Sequence, residues 1–268
     1  MIGKVLSQKL SYRNRAKNMA PDEVPPPNKR KAILVISPHE LDRLEYTPGG
    51  SNLLLSEQVY LWVPSYVTTN DIEKKLDSSG LLEPGTLLIQ NPYDTSDYVI
   101  FDKASSTFAL TKYLHFTTLC GLLGAREVTV EQIEVQTSAG KQIFKGSIDS
   151  PYADGNIDAV NKTFEEIRNK IKLQSKFGGG EPNLEEAEAH LRQYQLLNDM
   201  SMKSLIDQRR GKNPIQSREL TLSLSEESKR NLQVVADIKI PVYANLQAQV
   251  EKITREMYEF TLTIRVEF

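Results

Sequence analysis

Residues 217–268 read SRELTLSLSEESKRNLQVVADIKIPVYANLQAQVEKITREMYEFTLTIRVEF, and the reading of this stretch decides the fold. Leu220, Leu222 and Leu224 alternate with polar residues. Leu232, Val234, Ala236, Ile238, Ile240, Val242, Ala244, Leu246, Ala248 and Val250 then fall on even positions, and Phe260, Leu262, Ile264, Val266 and Phe268 resume the parity. Successive side chains of a strand point to opposite faces, so a period of two gives one apolar and one polar face. The stretch predicts a long antiparallel C-terminal sheet, its strands beyond the usual length of about five or six residues. A rival fits 241–258. Val242, Leu246, Val250, Ile253, Met257 and Phe260 recur at helical spacing, and Pro241 suits a first helical position. No Gly or Pro separates Tyr243 from Phe268 to punctuate a helix-to-strand change, so the strand reading is carried forward. Residues 259–268 are strand under both.

Upstream, Asn183 precedes Leu184, Ala187, Leu191 and Tyr194 on one helical face, which predicts a helix over 183–197. Residues 199–210 predict a second, closed by Gly211 and Pro214. Gly178-Gly179-Gly180 breaks the chain before this pair. Val160, Phe164, Ile167 and Ile171 predict a further helix. Residues 126–137 and 142–148 read as a hairpin around Ser138-Ala139-Gly140-Lys141. The segment 108–123 is the most apolar. Leu110, Leu114, Leu119, Leu122 and Leu123 have helical spacing, Lys112 and His115 are its strongly polar members, and Gly124 suits a C-terminal cap. It predicts a buried central helix with Leu114 and Leu119 in the core. With the helix at 160–171 it would cover the apolar face of the C-terminal sheet.

The N-terminal half alternates short elements. Ala32-Ile33-Leu34-Val35-Ile36 is a continuous apolar run, typical of a buried strand. Ser37-Pro38-His39-Glu40 has capping-box spacing and opens a short helix through Leu41 and Leu44, which Pro48-Gly49-Gly50 ends. Residues 59–63 and 86–90 read as strands, and 97–101 pairs with the second across Asn91-Pro92-Tyr93-Asp94. A helix falls between Asn70 and Gly80. The fold class is α+β: a β-rich body, a central apolar helix, a helical pair and the long antiparallel C-terminal sheet. The chain divides into an arm at 1–31, a mixed α/β lobe at 32–150, and a helical insert with the β segment at 151–268. The last two could form one continuous domain.

Charge is uneven along the 268 residues, whose formal net charge is −2. Residues 1–31 hold eight bases (Lys4, Lys9, Arg13, Arg15, Lys17, Lys29, Arg30, Lys31) against Asp22 and Glu23, and end on Pro25-Pro26-Pro27 and a basic run. A basic, Pro-rich arm therefore precedes an acidic body. Cys120 is the single cysteine, so an internal disulfide framework is excluded and a reducing, cytoplasmic setting is expected. The first 20 residues lack the apolar core of a signal peptide, and no stretch reaches about 18 apolar residues.

The catalytic inventory is thin. His39, His115 and His190 lie far apart in sequence, and none stands in a metal-binding or catalytic motif. His115 reads as a core histidine, His190 as part of a solvated helix face. Cys120 lies five residues from His115, off its helix face, which argues against a nucleophile pair. The triglycine is followed by Glu181, Pro182, Glu185 and Glu186, which argues against a phosphate loop. Asp154, Asn156, Asp158 and Glu165 have calcium-loop spacing but carry Ala159 where Gly is needed. Arg209, Arg210, Lys212 and Arg218 cluster at a helix end, where cations satisfy the last carbonyls. No aromatic residues interleave them, which disfavours a nucleic-acid platform.

No cofactor or metal and no catalytic residue is expected. The leading expectation is a non-catalytic interaction or assembly protein of the cytosol, with a protein partner. Its candidate anionic-surface contacts are Lys4, Lys9, Arg13, Arg15, Lys17, Arg209, Arg210 and Lys212. A pore-forming-like effector, disturbing membranes through the amphipathic β segment, is the first alternative. An enzyme with dispersed active-site residues is the second. A homo-oligomer stays open.

Overall fold

The structure, a computed structural model, describes residues 31–44, 46–54, 56, 58–63, 76, 78–137, 140–145, 170–171, 174–224, 226–236, 243, 246–248, 250–251 and 259–268. The basic arm before Lys31, the lobe boundary near 149–156, the calcium-like spacing and nearly all of the 160–171 helix lie outside them. Two compact units emerge. One gathers the described residues up to 91, 95–104 and 230–255; the other takes 92–94, 105–229 and 256–268. The class is α+β.

The first unit is built on a four-stranded sheet in the order β2-β1-β3-β4. Strand β1 (Ala32–Val35) runs parallel to β2 (Val59–Trp62) and antiparallel to β3 (Leu87–Gln90), which pairs antiparallel with β4 (Tyr98–Ile100). Every residue of β1 and β3 is buried, as a continuous apolar run requires when both faces of a sheet are covered. Ile33, Trp62, Leu76, Leu88 and Tyr98 form one hydrophobic cluster. Helix α1 (Pro38–Leu44) starts on the expected capping box. The Glu40 amide donates to Ser37 Oγ at 3.3 Å, and Ser37 Oγ donates to Glu40 Oε2 at 2.6 Å. The Tyr243 hydroxyl donates to the same carboxylate oxygen. Burial works against the Glu40 charge, but the Ser37 and Tyr243 hydrogen bonds outweigh it and hold the carboxyl below its usual range. Gly50, expected to end a helix, instead begins helix α2 (Gly50–Leu54).

The second unit is built on an antiparallel sheet in the order β6-β5-β9-β8, with β7 also on β5. Strand β5 (Glu127–Thr137) pairs with β6 (Gly140–Lys145) through the expected hairpin, with Thr137 opposite Gly140, and with β7 (Gln174–Lys176). Strand β9 (Glu259–Glu267) lies between β5 and β8 (Ser217–Ser223). Here burial alternates: Phe260, Leu262, Ile264 and Val266 are inside, Arg265 and Glu267 outside. The parity read from the sequence is the parity of this strand.

Between β8 and β9 the parity misleads. Residues 226–236 form helix α6 (Glu226–Ala236), not a strand, and the described residues 246–248 and 250–251 are helical too. The reason is visible in Val235. It is apolar and fully buried, and it breaks the alternation. Asn231, Leu232 and Val235 are buried together, with Leu232 three and Asn231 four residues before Val235, the offsets that share a helix face.

Helix α3 (Ala104–Leu122) is the expected central helix. Phe108, Phe116, Leu119 and Cys120 are buried, but Leu114 is 61% exposed. Lys112 takes the opposite role and is fully buried, its Nζ 2.8 Å from Asp199 Oδ2. The expectation of Leu114 in the core is therefore corrected. Helical rotation turns position 114 outward and 112 inward, and the ion pair makes the inward lysine tolerable. Gly124, at φ +77°, closes the helix. The Gly124 amide donates to Gly121 O and the Ala125 amide to Cys120 O, both at 3.0 Å, which satisfies two carbonyls of the last turn.

The helical pair is α4 (Leu184–Gln193) and α5 (Met200–Arg209). Asn183 Oδ1 accepts from the Glu186 amide, and Asp199 Oδ1 from the Met202 amide. Asp199 thus both caps α5 and neutralises Lys112. Among the described residues, no helix is long and apolar enough to cross a membrane.

Candidate functional site: a basic cleft in the second unit

The C-terminal end of α5, the loop that follows it and the segment entering α4 frame an open cleft of about 630 Å³. Arg126, Arg209, Arg210 and Lys212 bring positive charge to its wall, and Glu181 brings an acid. Pro182, Leu184, Pro214 and Phe268 supply apolar surface, and Gly180, Gly211 and Gln216 complete it.

Arg209 is the interior member, only 7% exposed. Its Nε donates to Leu123 O at 3.1 Å and its Nη1 to Ile215 O at 2.8 Å. The guanidinium carbon lies 4.4 Å from the centroid of the Phe268 ring. The sequence expectation had cations here satisfying the last carbonyls of their own helix. Arg209 serves other carbonyls instead, one just beyond the end of α3 and one in the 211–216 loop. Burial lowers its pKa and Glu181 opposes that shift, so a strongly basic guanidinium stays charged. Nη2 has no protein acceptor among the described residues.

Two glycines shape the wall. A Cβ on Gly124 would lie 2.1 Å from Gly180 O, so the triglycine packs directly on the cap of α3. Gly180 has φ +140°, a conformation that glycine tolerates and other residues strain to adopt. Phe177 N donates to Arg126 O and Asn183 N to Leu122 O, each at 2.8 Å, and these bonds flank the triglycine on both sides.

The expected contacts separate here. Arg209, Arg210 and Lys212 come together. Arg210 is exposed and ion-paired with Glu188. Arg218 turns elsewhere, donating to Gln208 Oε1 at 3.0 Å and to Ser204 Oγ. Lys4, Lys9, Arg13, Arg15 and Lys17 lie outside the described residues. Arg126 and Glu181 went unread as site residues. They stand far from 209–212 in sequence, and only the antiparallel return of β9 and the position of the triglycine place them together.

A second polar cluster lies in the same unit. The His115 ring stacks on Tyr194 with centroids 4.0 Å apart, and the His190 and Tyr93 rings lie 5.2 and 6.0 Å from it. The expectation of scattered histidines is corrected: α3 and α4 bring two of the three together, and His190 is half-buried rather than solvated. Burial lowers the His115 pKa to about 4, with His190 adding to the shift and Asp94 opposing it. Burial lowers His190 too, against the His115 backbone and Glu186. Both imidazoles are neutral at pH 7. The Cys120 thiol is fully buried and burial raises its pKa, which leaves little thiolate for chemistry. Among the described residues, no group of three or more His, Cys, Asp and Glu side chains is placed to hold a metal ion.

No protein-family model, no curated protein and no solved structure matches this chain.

Proposed function

We propose that this is a non-catalytic interaction protein that holds an anionic segment of a protein partner in the basic cleft of its second unit. The observation that carries the reading is Arg209: a nine-tenths-buried guanidinium whose Nε and Nη1 are engaged by carbonyls, with its Nη2 edge left for an oxyanion. Exposed Arg126 and Lys212 around it attract an incoming anion and speed its encounter. The apolar walls at Pro182, Pro214 and Phe268 give the rest of such a segment surface to cover.

The test uses a fluorescein-labelled hexaglutamate peptide and fluorescence anisotropy on the full chain. Binding is expected to be saturable and to weaken with added salt. Lys212→Glu combined with Arg126→Glu, two exposed positions, should weaken it by about tenfold or more, the size expected for reversing charges at a rim. Equal affinity in the double variant, with its melting temperature unchanged, would overturn the proposal.

A further inference from the structure

The charge balance of the cleft says which anion it fits. Four cationic side chains, Arg126, Arg209, Arg210 and Lys212, stand against two carboxylates, Glu181 in the wall and Glu188 on Arg210. Among the side chains, two positive charges remain unbalanced. A carboxylate carries one negative charge, whereas a phosphate monoester near neutral pH carries about −1.5 to −2 with three acceptor oxygens. The donors also suit a tetrahedral group better than a planar one. The Arg209 edge is fixed by two carbonyls and by the Phe268 ring, while Arg126 and Lys212 reach in from exposed positions. Several acceptor oxygens can then be met from different sides.

We infer that the group recognised in this cleft is a phosphate monoester on a protein side chain, taken between Arg209, Arg126 and Lys212. This rests on the cleft being the interaction site proposed above. The recessed position of Arg209 favours a protruding side chain over a bilayer headgroup. A phosphorylated side chain can enter a cleft of about 630 Å³, whereas a headgroup stays in the plane of its membrane. The Phe268, Pro182 and Pro214 surfaces would then meet the carbon skeleton behind the phosphate.

Phenyl phosphate and benzoate are the probes, each titrated into the full chain against the labelled hexaglutamate. Phenyl phosphate should displace the label at a concentration about tenfold lower than benzoate. Its advantage should grow as pH rises through about 6, where the second phosphate proton leaves. Benzoate displacement should be flat over that range. Lys212→Glu should remove most of the phosphate advantage while the melting temperature holds. Equal potency of the two probes, or a phosphate advantage independent of pH, overturns the inference but leaves the anionic-segment reading standing. A chain that binds no hexaglutamate yet binds phenyl phosphate directly, seen as a rise in melting temperature that Lys212→Glu removes, would exclude carboxylate segments as the ligand and support this inference. Vesicles containing phosphatidic acid serve as the last arm. If they outcompete phenyl phosphate at equal phosphate concentration, the ligand is a lipid headgroup and the protein-borne assignment fails.

Discussion

The two units bury different kinds of polar group. Among the described residues of the first unit the buried polar side chains are the neutral amides of Gln90, Asn91 and Asn231, and Asn91 Nδ2 donates to Asp97 Oδ2 at 3.3 Å. Gln90 Nε2 donates to Thr95 O, and Asn231 Nδ2 donates to Gln90 O, both at 2.9 Å. In the second unit the buried polar side chains include two cations, Lys112 and Arg209. Their sheets differ in the same sense. Strand β1 is hydrocarbon throughout and β3 is so except for Gln90, while β9 alternates strictly. A hydrocarbon sheet is indifferent to salt and pH, whereas a buried cation is stable only while its acceptors stay in place. The difference teaches where to look for binding: the unit that already tolerates internal positive charge is the one whose cleft is proposed to take a negative partner.

The strongest way to break this contrast is to remove one half of the Lys112–Asp199 pair. Lys112→Met leaves the Asp199 carboxylate, 8% exposed, without its cation, and should cost about 3–5 kcal/mol of unfolding free energy. Adding Asp199→Asn should recover part of that loss, read from urea midpoints, because the orphaned charge is gone. A Lys112→Met variant with the parent midpoint would show that the pair does not stabilise the unit. Leu88→Ala in the first unit and Leu119→Ala in the second should each cost about 2–5 kcal/mol, since both side chains are fully buried. The second unit should answer to moderate acid through its two imidazoles. The folded pKa of His115 is about 4 and that of His190 is lowered, so the unfolded chain gains protons first as pH falls below about 6.5. Stability present at neutral pH should decline from there, and His115→Asn should flatten the decline between pH 7 and 5. If the melting temperature of the parent is constant across that window, the imidazoles are not held neutral by the fold. The smallest effect belongs to Leu114→Ala, within about 0.5 kcal/mol, because the side chain is exposed. It sharpens the contrast with Leu119, four residues apart in spacing terms from its buried neighbour Leu123.

Local signals were legible in the sequence wherever chemistry and spacing agreed. The Ser37–Glu40 box, the Gly124 stop, the Asn183 and Asp199 helix starts and the alternation of 259–268 all appear where they were read. The α6 region was misread because even-numbered apolar residues happen to continue through it, although Val235 disturbs the pattern. Leu114 and Lys112 were exchanged between surface and core. A nearly all-apolar helix carries almost no directional signal, and the partner that makes Lys112 buriable lies 87 positions away at Asp199. The cleft was legible only in part. Arg209, Arg210 and Lys212 are consecutive enough to be seen as a cluster, but the wall at Arg126 and Gly180–Glu181 is a product of tertiary pairing.

The central claim is that an anion engages Arg209 from within the cleft, and side-chain NMR tests it without any mutation. Arginine Nε–H resonances of the full chain, isotopically labelled, would be followed while hexaglutamate is added. The account predicts a saturable shift at Arg209, with Arg218, turned toward Ser204 and Gln208, left in place. An unmoved Arg209 resonance, or equal shifts at Arg209 and Arg218, would contradict it.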